Sequence, residues 1–160
     1  MPDPRFCARC GTLLVAAADL QHRPECPSCG WFRPTNVLPV VLVLARTDNG
    51  KILYTRQPGW PTGAWGLVSG YVEAGETAEQ ASLREVEEES GLTARAPRLI
   101  RTSSYGELLL LWVEVNVQDG APRAGSDVEA VNLRRPDAGL TPEDWPARAF
   151  IDAQLESFSS

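Results

Sequence analysis

Between Gly70 and Gly91 the chain sets seven glutamates (Glu73, Glu76, Glu79, Glu85, Glu87, Glu88, Glu89) against one base, Arg84. This stretch carries the whole formal charge of −6, and the rest of the 160 residues sum to zero. Its local pattern specifies a helix. Thr77 with Gln80 three residues on is a capping box, and Gly91 is the stop after about Ser90. On that helix Glu85, Glu88 and Glu89 stand at i, i+3 and i+4 and share one face. Like charges at that spacing destabilise a helix, and more so near its C-terminal end, where the dipole is negative. A solvated acidic face would intersperse bases, yet Arg84 is the only one. A hard cation neutralises such a face, and carboxylates select Mg2+ or Mn2+ over soft metals.

Read from Gly70, the order is five residues, Glu76, seven residues, Arg84-Glu85-Val86, one residue, Glu88-Glu89, one residue, Gly91-Leu92. This resembles the complete Nudix box, G-x5-E-x7-R-E-U-x-E-E-x-G-U with U apolar, at every fixed position. The resemblance implies metal-dependent hydrolysis of a diphosphate that links a nucleoside to another group. It implies that Glu85, Glu88 and Glu89 are the metal-site carboxylates and that the Ser69 carbonyl is a backbone ligand. Arg84 is expected to pair with Glu76 or a neighbouring carboxylate and hold the loop and helix together, with Gly70 and Gly91 as structural positions.

The chemistry needs those parts. A diphosphate repels a nucleophile with its own charge. Divalent ions neutralise the phosphate oxygens and lower the pKa of bound water, and a carboxylate then takes the proton. Glu85 is one candidate for that base; a distant glutamate is another, with Glu107, Glu114 and Glu129 available. The run Asp127-Val128-Glu129-Ala130-Val131-Asn132-Leu133 resembles the pattern near the C-terminus of NADH pyrophosphatase-type enzymes, where a glutamate completes the metal site. Glu129 is therefore the expected catalytic and metal-binding acid among the three.

The four cysteines form the pairs Cys7–Cys10 and Cys26–Cys29, each C-x2-C, with fifteen residues between the pairs and a glycine after each. Two residues between thiolates let one tight turn aim both sulfurs at a single ion, and two such turns complete a tetrahedron around Zn2+. Two disulfides or a redox dithiol are the alternatives. His22, the only histidine, is a rival ligand that four thiolates make superfluous. A module of this size buries little core, so metal binding would supply its folding energy, and a closed tetrahedron leaves zinc no open position for catalysis.

A zinc ribbon followed by a Nudix domain resembles the NADH pyrophosphatase branch. In that branch an aromatic follows the box glycine and packs on the substrate base; Tyr71 holds that place, with Trp65, Tyr105 and Trp60 as further stacking candidates. The downstream motif of the NADH enzymes, S-Q-P-W-P-F-P-x-S, is missing: the chain reads Thr102-Ser103-Ser104-Tyr105-Gly106-Glu107 there. NADH, ADP-ribose and FAD therefore all stay open as substrates.

The remaining elements follow from periodicity. Val37–Ala45 fits a buried strand, Asp48-Asn49-Gly50 a hairpin turn, and Lys51–Gln57 the returning strand. Trp65–Val72, Leu108–Val117 and Val128–Arg134 also read as strands, and 141–155 as a terminal helical region. Strands and helices mix without strict alternation, which fits an α/β fold: a Nudix α/β/α sandwich with a mixed sheet over 37–160, preceded by a ribbon over 1–36.

An acidic chain is not expected to coat nucleic acid. No apolar run approaches the ~18 residues of a membrane span, and the first residues lack a signal-peptide core, so the chain reads as cytoplasmic. The resulting expectation is a Mg2+- or Mn2+-dependent pyrophosphohydrolase acting on a nucleotide. The alternative is a nucleotide-sensing or partner-binding module that keeps the fold without turnover. Relatives of this kind are often dimers, though no residue pattern here requires a homodimer.

Overall fold

The computed structural model describes residues 5–16, 23–33 and 36–136. The chain divides into two compact units, Met1–Val37 and Leu38–Ser160. His22 and the terminal helical region expected over 141–155 lie outside the described residues.

The small unit is built on two matching turns. In the first, the Gly11 N–H donates to the Cys7 carbonyl (2.9 Å) and the Cys7 N–H to the Thr12 carbonyl (2.7 Å). In the second, Gly30 donates to Cys26 (3.0 Å) and Cys26 to Trp31 (2.7 Å). A minimal antiparallel ladder, β1 (Val15–Ala16) with β2 (Pro24–Glu25), joins them. Phe6, Leu13, Val15 and Phe32 remain exposed, while Cys7 and Cys26 are buried. Among the described residues of this unit, Cys7 and Cys26 are thus the buried apolar side chains.

The large unit is organised around β3 (Leu38–Arg46). One edge of β3 runs parallel to β7 (Leu108–Val117), in register from Leu38↔Leu108 to Arg46↔Asn116. The other edge is shared: β5 (Val68–Tyr71) pairs antiparallel over Val40–Val43, and β4 (Ile52–Arg56) meets it at Arg46↔Ile52. β8 (Ala130–Arg134) flanks β4, and β6 (Ala94–Tyr105) flanks β7, giving the order β6-β7-β3-β4-β8. The sheet is mixed, as expected.

Alternation along β3 divides the core by face. Val40, Leu42 and Leu44 join Ile52, Tyr54, Leu67, Leu110 and Trp112 on one side. Val41, Val43 and Ala45 join Leu53, Val68, Val113 and Val115 on the other, where Ala81 and Val86 of helix α1 (Ala78–Ser90) pack. Burial on both faces is why β3 and β7 read as continuous apolar runs.

The long strand β6 has no counterpart among the expected elements. Its pattern is mostly exposed, it contains Pro97, and its pairing with β7 is broken by two register shifts. It is an outer strand of the described sheet whose pairing is dictated by its neighbour and not by its own periodicity. The expected strand Trp65–Val72 is trimmed at both ends to β5, and Val128–Arg134 at its start to β8. Gly66 instead forms an isolated bridge with Thr55. Among the described residues, no helix is long and apolar enough to cross a membrane.

Candidate active site

Helix α1 begins and ends as its sequence dictates. The Thr77 N–H donates to Gln80 Oε1 (2.9 Å) and the Gln80 N–H to Thr77 Oγ1 (3.2 Å). At the other end Gly91 adopts φ 67°, a left-handed conformation that glycine enters without penalty, and its N–H donates to the Glu87 carbonyl. These caps fix the rotation of the helix, and with it the direction of Glu85, Glu88 and Glu89.

Arg84 ties the box together. Its Nε and Nη2 grip Glu76 Oε1 and Oε2 at 2.8 and 2.9 Å, and Nη2 also reaches the Tyr71 carbonyl at 3.0 Å. Its Nη1 donates to Glu85 Oε1 (2.8 Å) and Glu88 Oε2 (3.0 Å). Glu76 also accepts from the Glu73 N–H. The Arg84 fork, aided by that N–H, holds the Glu76 carboxyl down at about 2, and the same partners push the guanidinium pKa still higher. The box arginine is a clamp between the loop that precedes the helix and the carboxylates on it.

The three helix carboxylates meet different surroundings. Glu85 lies against Gly70 so tightly that a Cβ there would sit 1.9 Å from its Oε1. Burial raises the Glu85 pKa, although Arg84 pulls the other way. Glu88 is the most open of the three. Glu89 is only 4% exposed, and burial, reinforced by the charge of Glu85, pushes its pKa up to about 8. The Ser69 backbone and the Thr55 and Gln57 side chains offset part of that rise, but Glu89 Oε2 has no hydrogen-bond partner.

These groups form one wall of a cleft of about 570 Å3. The acidic wall carries Glu73, Glu85, Glu88, Glu89 and Asp127, together with Ser69, Gly70 and Gln57. The opposite wall is apolar: Val40 and Leu42 from β3, Leu108 and Leu110 from β7. Tyr71 and Tyr105 also line the cleft and are 58% and 51% exposed. An anionic group with counter-ions suits one wall and a flat apolar ring the other.

The other expected residues sit elsewhere. Trp65 does not line the cleft; it packs against the core while Arg56 and Arg134 lie 5.6 and 5.8 Å from its ring. Glu129 lines neither the cleft nor the smaller cavity beside it; its Oε1 accepts from Arg56 Nη2 at 3.1 Å. Glu114 is gripped by Arg46 (2.9 Å) and Arg98. Burial would raise its pKa, but those two arginines hold it below the usual range. Glu107 offers its carbonyl to the Leu38 N–H and lies outside the cleft lining. Gln57, Glu73 and Asp127, none of them expected from the sequence, do line the cleft.

In the small unit the four cysteine sulfurs lie within 4.8 Å of one another, and all four cysteines are free. Sulfurs from different pairs are adjacent: Cys7–Cys29 at 3.6 Å, Cys10–Cys26 at 3.4 Å and Cys10–Cys29 at 3.7 Å. A tetrahedron with Zn–S bonds of about 2.3 Å requires sulfurs about 3.8 Å apart, whereas a disulfide requires about 2.05 Å. The cluster is a metal-type cage. The Thr12 hydroxyl and backbone N–H draw the Cys10 thiol down to about 6. The Trp31 N–H acts likewise on Cys29, but burial and the neighbouring thiols push it up to about 12. Thiols so crowded ionise together only around a cation.

The chain is similar to known proteins in sequence and in fold. A NudC from Pseudomonas aeruginosa (strain LESB58), called an NAD-capped RNA hydrolase, is 39% identical over 88 residues, covering 55% of this chain and 31% of that protein. The protein of the same name from Photobacterium profundum is 39% identical over 100 residues, covering 62% and 37%. The chain thus spans about a third of the length of the curated relatives it matches. Among solved structures, a NUDIX hydrolase from Nitrosomonas europaea matches with a TM-score of 0.74 at 22% identity, covering 97% of this chain and 90% of that one. The NUDIX domain of Shewanella oneidensis NrtR, complexed with ADP ribose, matches with a TM-score of 0.62 at 18% identity, covering 78% and 89%. The NUDIX domain family model matches residues 36–154, which takes in both walls of the cleft and most of the chain. The chain is a member of the Nudix family.

Proposed function

We propose that the domain over 37–160 hydrolyses the diphosphate bond of a nucleoside diphosphate derivative, with Glu85, Glu88, Glu89 and the Ser69 carbonyl holding Mg2+ or Mn2+. The observation that carries this reading is Glu89 Oε2: a buried carboxylate oxygen with no partner, in a cleft walled by further carboxylates. A buried polar atom left unsatisfied is costly, and a hard cation is the ligand such oxygens fit. When bound, the cation neutralises phosphate oxygens and lowers the pKa of water.

The chain's own residues do the rest. Arg84 and Glu76 hold the helix against the loop. Glu85, fixed against Gly70, is the carboxylate assigned to take the proton from the attacking water. The water oxygen bonds to one phosphorus, the bridging P–O bond breaks, and two phosphorylated products leave. Tyr71 and Tyr105 stack the base against the apolar wall; Trp65 and Glu129 carry no role in this reading.

The four cysteines over 1–36 hold a structural Zn2+. Free thiols in such a cage fit a reducing compartment, which agrees with a cytoplasmic protein. The relatives' name, NAD-capped RNA hydrolase, adds NAD-capped RNA to the candidate substrates although the chain is acidic.

The test is a hydrolysis screen over NADH, NAD+, ADP-ribose, FAD, CoA, dinucleoside polyphosphates, nucleoside triphosphates and NAD-capped RNA, with Mg2+ or Mn2+. Turnover of at least one diphosphate is expected, and the double variant Glu88→Gln/Glu89→Gln should lose it by orders of magnitude while keeping the fold. Tight nucleotide binding without phosphate release across the whole panel would instead establish a sensing or binding module.

A further inference from the structure

Strand β6 carries Arg95, Arg98 and Arg101, a spacing that in a regular strand would throw them to alternating faces. The two register shifts against β7 undo that alternation. Arg95 stands opposite Asn116, Arg98 opposite Glu114 and Arg101 opposite Trp112. Those partners are every second residue of β7, and directly opposed residues share a face. Each shift places one extra residue on β6, so the two bulges together bring all three arginines to one side of the sheet.

The row leads to the cleft. Farther along β6, Ser103 lies opposite Leu110 and Tyr105 opposite Leu108. Tyr105, Leu108 and Leu110 all line the cleft. The Trp112 Nε1–H donates to Ser103 Oγ (2.9 Å), which pins the register between the cleft and the arginines. From Leu108 to Asn116 the row passes along β7 for about 27 Å, with the arginines over its far half.

All three arginines are exposed. Arg46, beside Asn116 on β3, adds a fourth guanidinium. Against them stand Glu114, shared by Arg46 and Arg98, and Asp48, 3.9 Å from Arg95. The balance is positive, in a chain whose net charge is −6. Arg98 reaches Glu114 through Nη2, and a guanidinium has donors enough to hold a second anion as well. The backbone supplies an independent sign that this alignment serves a purpose. Ala96, inside the first shift, has φ 53°, the one non-glycine residue in the left-handed region among the described residues. A Cβ resists that conformation, and such strain persists where a site uses it.

We propose that Arg101, Arg98 and Arg95 bind successive phosphates of a single-stranded nucleic acid whose 5′ end occupies the cleft. The inference rests on the diphosphate reading of the cleft given above. A single file of guanidiniums suits the repeated charges of one strand, whereas a compact nucleotide would need at most one such group near the cleft. Contacts of this kind read charge and not base sequence.

The experiment uses the full-length, zinc-loaded protein with Mg2+ and compares NAD+ with a single-stranded oligoribonucleotide carrying NAD at its 5′ end. The readout is kcat/KM as a function of salt. Each phosphate contact to a single strand contributes a logarithmic slope of about −0.7, so the capped strand should show an excess slope of about −2 over NAD+. Arg95→Gln/Arg98→Gln/Arg101→Gln should abolish the excess and raise KM for the capped strand about tenfold or more, with kcat/KM for NAD+ kept within about twofold. Arg95→Gln/Arg101→Gln, which leaves Arg98 on Glu114, should lose about two thirds of the excess. The triple lysine variant should retain most of it; a lysine variant as impaired as the glutamine one would show that packing and not charge is at work, and overturns the proposal. Equal slopes for NAD+ and the capped strand in the parent, or parent-like kinetics in the triple glutamine variant, overturn it while the diphosphate reading stands. An equal loss on a nucleotide with a polyphosphate tail overturns the nucleic-acid assignment. If the parent turns over no diphosphate of the panel above, that reading falls. In that case, and where NAD is not the accepted group, fluorescence anisotropy of a labelled 5′-phosphorylated oligoribonucleotide reads the row by itself, and parent-like binding by the triple glutamine variant overturns it.

Discussion

Gly70→Ala is the sharpest single perturbation of the site. The added Cβ would lie 1.9 Å from Glu85 Oε1, 2.0 Å from its Cδ and 2.4 Å from Oε2, where ordinary contact begins near 3.4 Å. The carboxylate must therefore retreat by about 1.5 Å, the difference between 3.4 and 1.9 Å. The backbone at Gly70 is not in the left-handed region, so space and not strain is the obstacle. The retreat has somewhere to go, because Glu85 borders both cavities. Stability should consequently fall only modestly, by about 1 kcal/mol, which lowers the melting temperature by about 2–4 °C in a chain of this size.

Activity should respond far more. Displacing a catalytic group by about 1 Å costs on the order of a hundredfold, or about 2.7 kcal/mol of barrier. The displacement also breaks the 2.8 Å bond from Arg84 Nη1 to Glu85 Oε1. The assay is steady-state hydrolysis of whichever diphosphate the screen identifies, paired with thermal unfolding of the same preparations. A Gly70→Ala protein with kcat/KM within about twofold of the parent would refute the assignment of Glu85 to the reacting centre. A melting temperature lowered by far more than a few degrees would show that Gly70 serves the fold and not the site.

Three further outcomes are expected. Cys26→Ser should reduce bound zinc from about one per chain to almost none, by metal analysis, and unfold the small unit while the sheet of the large one persists in circular dichroism. Glu114→Gln should lower stability at neutral pH by about 1 kcal/mol. Because the folded pKa of Glu114 lies below its ordinary value, that contribution is present above the ordinary pKa and fades as pH falls through the lowered one, so parent and variant unfolding curves should converge in acid. A gap that persists unchanged in acid would show that Glu114 acts by packing and not by charge. Tyr71→Ala should raise KM more than it lowers kcat, since an exposed stacking ring contributes about 1–3 kcal/mol of base binding; an unchanged KM would remove Tyr71 from the base site.

Legibility followed the range of the interactions involved. The capping box of Thr77 and Gln80, the Gly91 stop and the common face of Glu85, Glu88 and Glu89 are set by neighbours a few residues apart, so spacing alone exposes them. The apolar runs of β3 and β7 are legible because burial on both faces leaves no polar position. Strand β6 was illegible because its side chains are mostly exposed, it contains Pro97, and its ladder to the adjacent β7 is broken by two register shifts. Trp65, a stacking candidate in the sequence, packs on the core with Arg56 and Arg134 near its ring, contacts that its own local pattern does not announce. The same holds for the acid near the end of the described chain. The family resemblance selects Glu129, whose carboxylate meets Arg56, and the path of that segment is set by Gly125 against the Glu88 carbonyl. That contact spans more than thirty residues and brings Asp127 to the cleft.

The two cation-type centres solve opposite problems. In the small unit a two-residue ladder and exposed Phe6, Leu13 and Phe32 leave little apolar interior among the described residues, so the proposed zinc in the sulfur cage would supply the folding energy. In the large unit the core fills both faces of the sheet, and the carboxylates are a liability that the fold manages by itself. Arg84 answers the charges of Glu85 and Glu88, and burial keeps Glu89 protonated more readily than an ordinary glutamate. Those devices reduce the repulsion within the box, so the large unit's folding leans less on a cation than the proposed folding of the small unit does. The charge of −6 that marks the sequence is therefore answered only in part within the box, where Arg84 meets Glu76, Glu85 and Glu88, and a cation bound there would stabilise the fold further.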